Sequence, residues 1–185
     1  MADISILAIV GSLRAGSVNA AMARAAASSA ADGVTVTVHS VADVPLYNGD
    51  IEDQGMPESV VELHDAVASA DGILLFSPEY NGSFPAVTKN VIDWLSRPPK
   101  AWEGQAISLV ATSPGGRAGQ GVRDHFSAIL ARQPVRLFET MGIGSYGNKS
   151  NEHGELTDQQ TGVELADFVT RFAEHCTTSV SPPPA

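Results

Sequence analysis

The sequence predicts an α/β fold: a doubly wound sheet of five parallel strands in the order 2-1-3-4-5, with helices on both faces. Short apolar segments alternate with helical segments, which is typical of parallel strands joined by right-handed crossovers. Three apolar segments, residues 4–10, 72–76 and 106–112, run directly into turns rich in glycine and polar residues. A length of 185 residues fits a single domain.

The first apolar segment, residues 4–10, is predicted to be a buried strand that leads into a phosphate-binding turn at residues 11–19, GSLRAGSVN. A helix follows Asn19, so its first unpaired N–H groups point back into the turn and favour an anion. Gly11 permits a sharp turn, and Gly16 permits a close approach to the backbone. Polar side chains add further donors: Ser12, Arg14, Ser17 and Asn19.

Two common phosphate loops do not match this turn. No lysine follows its second glycine, and its glycines do not fit the G-x-G-x-x-G pattern of dinucleotide sites. A phosphate monoester is therefore the expected anion. The alternative is an ordinary strand-to-helix turn whose serine and asparagine side chains only cap the helix.

The next segments complete a β-α-β unit. Residues 34–39, VTVTVH, are mostly β-branched and predict the second strand. Residues 43–55 are expected to form a loop, in which Leu46 and Tyr47 pack locally or reach a neighbouring subunit. A helix that opens at Pro57 then leads to the third strand at residues 72–76.

The second turn, residues 77–84 (SPEYNGSF), follows the third strand and precedes a helix opened by Pro85. Its flat or apolar side chains suit a planar heterocycle: Pro78, Tyr80 and Phe84. The backbone amides at Asn81 and Gly82 are free to face the edge of such a ligand. The alternative is a β-α loop in which Tyr80 fills a surface gap and the proline only ends the strand.

Polar residues on the helix after the second turn are expected to have structural roles. They are Lys89, Asn90 and Asp93, accompanied by Trp94. The carboxylate of Asp93 is expected to bond to a neighbouring loop, and Trp94 to pack inside the fold or against another subunit.

A third turn, residues 113–121, follows the strand at residues 106–112 and precedes a helix at residues 122–130. Ser113, Gly115 and Gly116 are expected to bring bare backbone against a polar ring edge. The alternative is that these glycines supply only flexibility.

The carboxyl-terminal part is predicted to hold a fifth strand and a closing helix. Residues 135–143 would complete the alternation, and a capping box of Thr157 with Gln160 predicts the start of the helix. The proline-rich tail, residues 177–185, is expected to be disordered, which leaves one domain at residues 1–176.

The three polar turns are expected to meet in space. Ligands of doubly wound sheets bind outside the carboxyl ends of the strands, where the strand order reverses. A phosphate cradle beside two amide-rich walls describes a mononucleotide with a planar ring, such as FMN, although an adenine nucleotide fits the same physics.

Composition argues against several partners. The net charge of −10 disfavours nucleic acid and anionic membranes, because both bind basic surfaces. The apolar run near the amino terminus is far shorter than the roughly 20 residues of a membrane span. A lone cysteine, Cys176, argues against an internal disulfide, and without a secretory pattern the expected compartment is the cytoplasm. The five histidines show no metal-ligand spacing.

The motifs GSLRAGSVN, SPEYNGSFPAVTKNVIDW and SPGGRAG together resemble the NADPH-dependent FMN reductase family of flavodoxin-like proteins. The resemblance spans residues 4–143, and it is specific because the motifs stand in the right order on successive strand ends. The most specific of them is PEYN followed by KN and DW. Thr88 departs from the pattern, since relatives usually carry an apolar residue before the KN pair.

The resemblance implies that three turns hold FMN. The first turn would bind the phosphate: Ser12, Arg14, Ser17, Val18 and Asn19. The second would line the isoalloxazine: Pro78, Glu79, Tyr80, Asn81 and Gly82. The third would border its polar edge: Ser113, Gly115 and Gly116. Backbone N–H groups near Asn81 and Gly115 would stabilise charge on the reduced ring, and no catalytic side chain or metal is implied.

The resemblance also implies a reaction and an assembly. NADPH, or NADH, would pass a hydride to FMN, and a small-molecule acceptor would follow in a ping-pong cycle: a quinone first, otherwise a free flavin, an azo compound or chromate. The 2′-phosphate of NADPH needs a basic neighbour, and the candidates are Arg14, Arg117 and Arg123. A homodimer or homotetramer is expected, with residues 97–102 near the interface. The alternatives are a flavodoxin-type electron carrier and a phosphate-binding module without flavin.

Overall fold

The computed structural model describes residues 3–178. In chain order, its elements are β1 (Ile4–Val10), α1 (Val18–Ser28), β2 (Val34–His39), α2 (Gly49–Glu52), α3 (Glu58–Ala68), β3 (Gly72–Pro78), α4 (Ala86–Leu95), β4 (Ala106–Thr112), α5 (Gln120–Leu130), β5 (Arg136–Leu137), β6 (Met141–Ile143) and α6 (Gln159–Cys176). A 3₁₀ turn covers Tyr146–Asn148. Within the described residues, every helix is too short or too polar to cross a membrane.

The sheet runs β2-β1-β3-β4, and both β5 and β6 pair with the outer side of β4. All of these pairings are parallel. The predicted order 2-1-3-4-5 is therefore confirmed, with a sixth short strand at one edge. Helices α1 and α6 cover one face of the sheet, and α3, α4 and α5 cover the other. Because β3 and β4 are buried on both faces, their sequences are nearly continuous apolar runs.

The fifth strand predicted within residues 135–143 is present, but a bulge divides it into the two short strands β5 and β6. Ala106 pairs with Arg136, whereas Val110 pairs with Met141, so the edge contains one more residue than β4 between these pairs. At the interruption the Ser108 hydroxyl donates to the carbonyl oxygen of Glu139 at 2.5 Å, in place of a ladder bond. The neighbouring Phe138 ring packs against α6.

The closing helix starts differently from the prediction. Its N-cap is Asp158, not Thr157, and the Oδ1 atom of Asp158 accepts from the N–H of Thr161 at 2.9 Å and from its hydroxyl. Because both hydrogen bonds favour the charged carboxylate, they lower the pKa of Asp158. The capping box of Thr157 and Gln160 therefore does not form, and Gln160 bonds to Glu164 along the helix instead.

The first two residues of the expected tail belong to the folded domain. The guanidinium group of Arg136 donates to the carbonyl oxygens of His175, at 2.8 Å, and Thr178, at 3.1 Å. Thr177 and Thr178 therefore stay at the end of α6. The rest of the predicted tail, residues 179–185, lies outside the described residues.

The loop before α2 is fastened to α4 by two side chains. The Oδ1 atom of Asn90 accepts from the N–H of Tyr47 at 2.7 Å, and its Nδ2 donates to the carbonyl oxygen of Pro45 at 2.8 Å. The same carbonyl accepts from Trp94 Nε1 at 2.8 Å, and Trp94 is fully buried. The structural roles predicted for Asn90 and Trp94 are confirmed. Asp93 does not bond to a neighbouring loop, because it pairs with Lys89 on its own helix.

Replacing Asn90 with alanine is expected to lower the free energy of unfolding by about 2 kcal/mol, because two hydrogen bonds are lost and their backbone partners are left without them. Urea unfolding of the purified protein measures this change. Lys89→Ala is the matched control, since Lys89 is exposed on the same helix and its ion pair contributes only about 0.5 kcal/mol. Equal midpoints for the two variants would show that the Asn90 contacts do not stabilise the fold.

Candidate functional site

A cleft of about 270 Å³ opens at the carboxyl ends of β1, β3 and β4, beside the amino terminus of α1. It is lined by residues from four segments: Ser12, Arg14, Gly16, Ser17, Val18, Asn19, Pro78, Glu79, Tyr80, Thr112, Pro114 and Tyr146. The structure thus brings together eight predicted residues: Ser12, Arg14, Ser17, Val18, Asn19, Pro78, Glu79 and Tyr80. Five others are not part of the lining: Asn81, Gly82, Ser113, Gly115 and Gly116.

The first turn presents unpaired backbone donors to this cleft. Ser17 is the N-cap of α1, and its hydroxyl oxygen accepts from the N–H of Ala20 at 3.3 Å. Among residues 3–178, no protein acceptor is bonded to the N–H groups of Gly16, Val18 and Asn19. A helix amino terminus with free N–H groups carries a partial positive charge, so this end of the cleft suits an anion.

Asn19 has a structural role as well as a place in the lining. Its side chain is buried, and its Oδ1 atom accepts from the Thr112 hydroxyl at 3.0 Å. This bond joins the first turn of α1 to the carboxyl end of β4. Thr112 was missed by the sequence interpretation, although it is the last residue of a strand that ends at the predicted site.

The departure at Thr88 has a structural explanation. Its hydroxyl is buried, lies 2.9 Å from the Ser77 hydroxyl and donates to the carbonyl oxygen of Gly11 at 3.4 Å. Helix α4 is thereby joined to the ends of β1 and β3. Gly11 packs tightly against this residue, because a Cβ atom at position 11 would lie 2.1 Å from Thr88 Oγ1.

The second turn is a tight hairpin rather than an open wall. Tyr80 and Ser83 exchange two backbone hydrogen bonds of 3.0 Å, and Asn81 and Gly82 have φ angles of 53° and 73°. Positive φ at both central residues is typical of a type I′ turn. The half-exposed Tyr80 lines the cleft. Asn81 and Gly82 stand at the tip of the hairpin, outside the lining.

In the third turn, Gly115 bonds to its own segment and to the chain that follows β6. The N–H of Gly115 donates to the Ser113 hydroxyl at 3.1 Å, and the Gly115 carbonyl oxygen accepts from the N–H of Ser145 at 3.2 Å. These contacts pack the turn against the chain that follows β6. The residue of this turn that lines the cleft is therefore Pro114.

A fourth turn also reaches the cleft. Tyr146 opens the 3₁₀ turn after β6, and it lines both this cleft and an adjoining cavity of about 340 Å³. The two cavities share Arg14, Gly16, Val18 and Tyr146. Sequence reasoning could have found Tyr146 from its position, because the end of the fifth strand lies beside the end of the fourth in the predicted order.

Of the three candidate arginines, Arg14 lines the cleft and Arg117 and Arg123 do not. Arg123 donates to Gln120 Oε1 at 2.6 Å, and its Nε atom lies beside Gly142. Arg117 is exposed. In the described part of the chain, no three His, Cys, Asp or Glu side chains are grouped in a way that would hold a metal ion.

Comparisons with known proteins found relatives that cover most of this chain. A sequence profile described as NADPH-dependent FMN reductase matches residues 4–142. The chain is 35% identical to a quinone reductase of Pseudomonas putida over 173 residues, covering 91% of this chain and 92% of that protein. It is 35% identical to a quinone reductase of Escherichia coli K12 over 178 residues, covering 92% of this chain and 94% of that protein. The solved structure of the flavoenzyme NAD(P)H:(acceptor) oxidoreductase FerB from Paracoccus denitrificans superposes with a TM-score of 0.81 at 28% identity, covering 94% of this chain and 97% of that chain.

Proposed function

This chain belongs to the NADPH-dependent FMN reductase family, and from that premise we propose that it is an FMN-dependent NAD(P)H oxidoreductase that reduces quinones. One observation carries the proposal. Free N–H groups at the amino terminus of α1 open into a cleft whose other side is formed by Pro78, Tyr80 and Pro114. An anion cradle beside flat surfaces matches the phosphate and the ring of FMN.

The residues present fit this cofactor. A Cβ at Gly16 would have no neighbour within 4 Å, so the cradle has room for a phosphate group. The phosphate is assigned to Ser12, Arg14, Ser17 and the N–H groups of Val18 and Asn19. The ring is assigned to Pro78, Tyr80, Pro114 and Tyr146. The five predicted residues outside the lining are assigned a different role, which is to shape the turns that carry Tyr80 and Pro114. They are Asn81, Gly82, Ser113, Gly115 and Gly116.

Bound FMN would supply the redox chemistry, taking a hydride from NAD(P)H and passing the reducing equivalents to an acceptor in a second half-reaction. The chain's own residues would bind the cofactor, orient it and shield it from water. Backbone N–H groups around the ring are the proposed stabilisers of negative charge. Cys176 takes no part, because it contacts Gly72 at the opposite end of β3 and burial raises the pKa of its thiol to about 12.

The 2′-phosphate of NADPH is assigned to Arg117, which is exposed, whereas Arg14 faces the FMN phosphate site. Arg117→Ala is expected to raise the KM for NADPH about tenfold, because a charge-assisted contact is lost, and to leave the KM for NADH nearly unchanged. Steady-state kinetics with both dinucleotides measures the difference. Equal changes in the two KM values would remove Arg117 from the site.

A homodimer or homotetramer is the proposed assembly, in the cytoplasm. Leu46 is 73% exposed, and it precedes Tyr47, whose ring contacts Trp94 and Arg97. An exposed leucine beside an ordered aromatic group supports a contact surface there. In the predicted interface loop at residues 97–102, Trp102 is fully buried and faces the core. Analytical sedimentation tests the assembly, and a monomer at micromolar concentration would contradict it.

The enzyme is tested by saturating the purified protein with FMN, desalting it and recording its visible spectrum before and after anaerobic addition of NADPH. We expect the desalted protein to retain the flavin absorption bands. The bands should bleach when NADPH is added and return when a quinone is added. Retained bands that NADPH and NADH leave unchanged would favour the flavodoxin-type electron carrier, an alternative that the net charge of −10 supports. Failure to retain or titrate FMN would favour the module without flavin.

A further inference from the structure

The Glu79 carboxylate is bonded to a helix that does not itself line the cleft. Its Oε2 atom accepts from the N–H of Val122 at 3.1 Å, in the first turn of α5. This helix begins after Gly119 and has no side-chain cap of its own. A carboxylate at a helix amino terminus is favoured both by the free N–H groups and by the helix dipole. Glu79 therefore caps α5 from the second turn.

A second contact joins the same helix to the tip of the second turn. Gly121 lies so close to this hairpin that a Cβ atom at position 121 would be 2.4 Å from the carbonyl oxygen of Gly82 and 3.0 Å from its Cα. Both partners are backbone atoms, so no side chain can rotate away. Only glycine at position 121 permits this approach.

A third contact lies on the next turn of α5. The Ser83 hydroxyl is 2.8 Å from His125 Nδ1, so the returning arm of the hairpin is also bonded to the helix. The second turn thus contacts α5 three times: Glu79 at Val122, Gly82 at Gly121, and Ser83 at His125. Tyr80 follows Glu79 and precedes Gly82 in the chain, and it lines the cleft.

We propose that α5 positions the second turn, with Glu79 and Gly121 as the positioning residues that set Tyr80 against the ring of the bound flavin. The inference rests on the proposed function, and it changes the role of Glu79. The resemblance implied that Glu79 lines the isoalloxazine. Here its carboxylate acts through the hydrogen bond to Val122, not through its charge on the ring.

Two substitutions at position 79 separate these roles. Glu79→Ala removes the acceptor, whereas Glu79→Gln keeps an oxygen that accepts the same bond without the charge. In the protein without FMN, hydrogen exchange of residues 79–84 is expected to be about tenfold faster in Glu79→Ala and near wild type in Glu79→Gln. Calorimetric titration with FMN is expected to give a Kd raised about tenfold in Glu79→Ala and less than about threefold in Glu79→Gln.

Gly121→Ala tests the backbone contact. The added methyl group is expected to displace the hairpin, and thus to accelerate its exchange and to raise the FMN Kd about tenfold or more. The matched control is Gly162→Ala in α6, where a Cβ atom would make an ordinary contact of 3.8 Å with Leu156. This control is expected to exchange and to bind FMN as the wild type does. If Gly121→Ala fails to fold, the Glu79 pair decides.

The outcomes are distinct. Wild-type exchange in Glu79→Ala, or equal exchange and equal Kd in Glu79→Ala and Glu79→Gln, would overturn the proposal. Faster exchange in Glu79→Ala with rescue by Glu79→Gln supports the positioning role even if the wild-type protein does not bind FMN. In that last case the role of α5 in ordering the turn stands, and the proposed function fails.

Discussion

Replacing Ser17 with aspartate is expected to weaken FMN binding about 100-fold or more and to leave the fold intact. Ser17 is the N-cap of α1, and aspartate and serine are about equally good caps. The new carboxylate would stand where the free N–H groups of Val18 and Asn19 are expected to bind a phosphate. Two like charges roughly 5 Å apart repel by about 3 kcal/mol at an effective dielectric constant of about 20, which is roughly 100-fold in Kd.

Ser17→Asn is the matched control, because asparagine has the shape of aspartate and caps the helix without a charge. We expect the two variants to unfold within about 0.5 kcal/mol of each other and to differ in FMN affinity. Calorimetry with FMN and with riboflavin, which lacks the phosphate, measures the effect directly. A similar FMN Kd in both variants would show that the amino terminus of α1 does not bind the phosphate.

Replacing Gly11 with alanine is expected to destabilise the protein by about 1–3 kcal/mol, as overpacking of a filled interior does. The added Cβ would lie 2.1 Å from Thr88 Oγ1 and 3.2 Å from the carbonyl oxygen of Phe76. The backbone at Gly11 does not have a positive φ, so the obstacle is space alone. Because Gly11 begins the first turn, FMN binding should weaken as well. Chemical denaturation and FMN titration measure the two effects.

The double variant Gly11→Ala with Thr88→Ala provides the decisive comparison. Once the Thr88 hydroxyl is removed, the remaining close side-chain contact of the added Cβ at position 11 is the Cβ of residue 88, at 3.3 Å. The two substitutions should therefore be less destabilising together than the sum of the single effects, with a coupling of about 1–2 kcal/mol. Gly49→Ala is the control, since nothing lies within 4 Å of its Cβ position. Additive effects would contradict the steric explanation.

Local signals predicted the regular elements well. The apolar runs of β1, β3 and β4 and the helical spacing of α3 and α6 depend only on neighbouring residues, and the structure has these elements. The bulge between β5 and β6 could not be predicted, because it depends on the Ser108 hydroxyl and on how Phe138 packs against α6. The start of α6 was misplaced by one residue, since two adjacent residues could each cap it and Asp158 is the better cap.

Only part of the candidate site was predicted, because some of its contacts are local in the chain and others are not. The first turn could be read locally, because a strand, a turn and a helix amino terminus define an anion cradle by themselves. The third turn could not be predicted in this way, because Gly115 bonds back to Ser113 and to the chain after β6. Thr112 and Tyr146 line the cleft only because the sheet order places β4 beside β3 and β6 beside β4.

The sequence by itself determined the α/β class and the strand–turn–helix segment at which an anion is expected to bind. Hydrophobic periodicity and the free N–H groups of a helix amino terminus arise from consecutive residues, so they can be read along the chain. Only the tertiary structure decided that Glu79 bonds to α5, that Thr88 packs on Gly11, and that Pro114 and Tyr146 line the cleft. These contacts join residues far apart in the chain, where distance in space, and not order in sequence, decides which atoms meet.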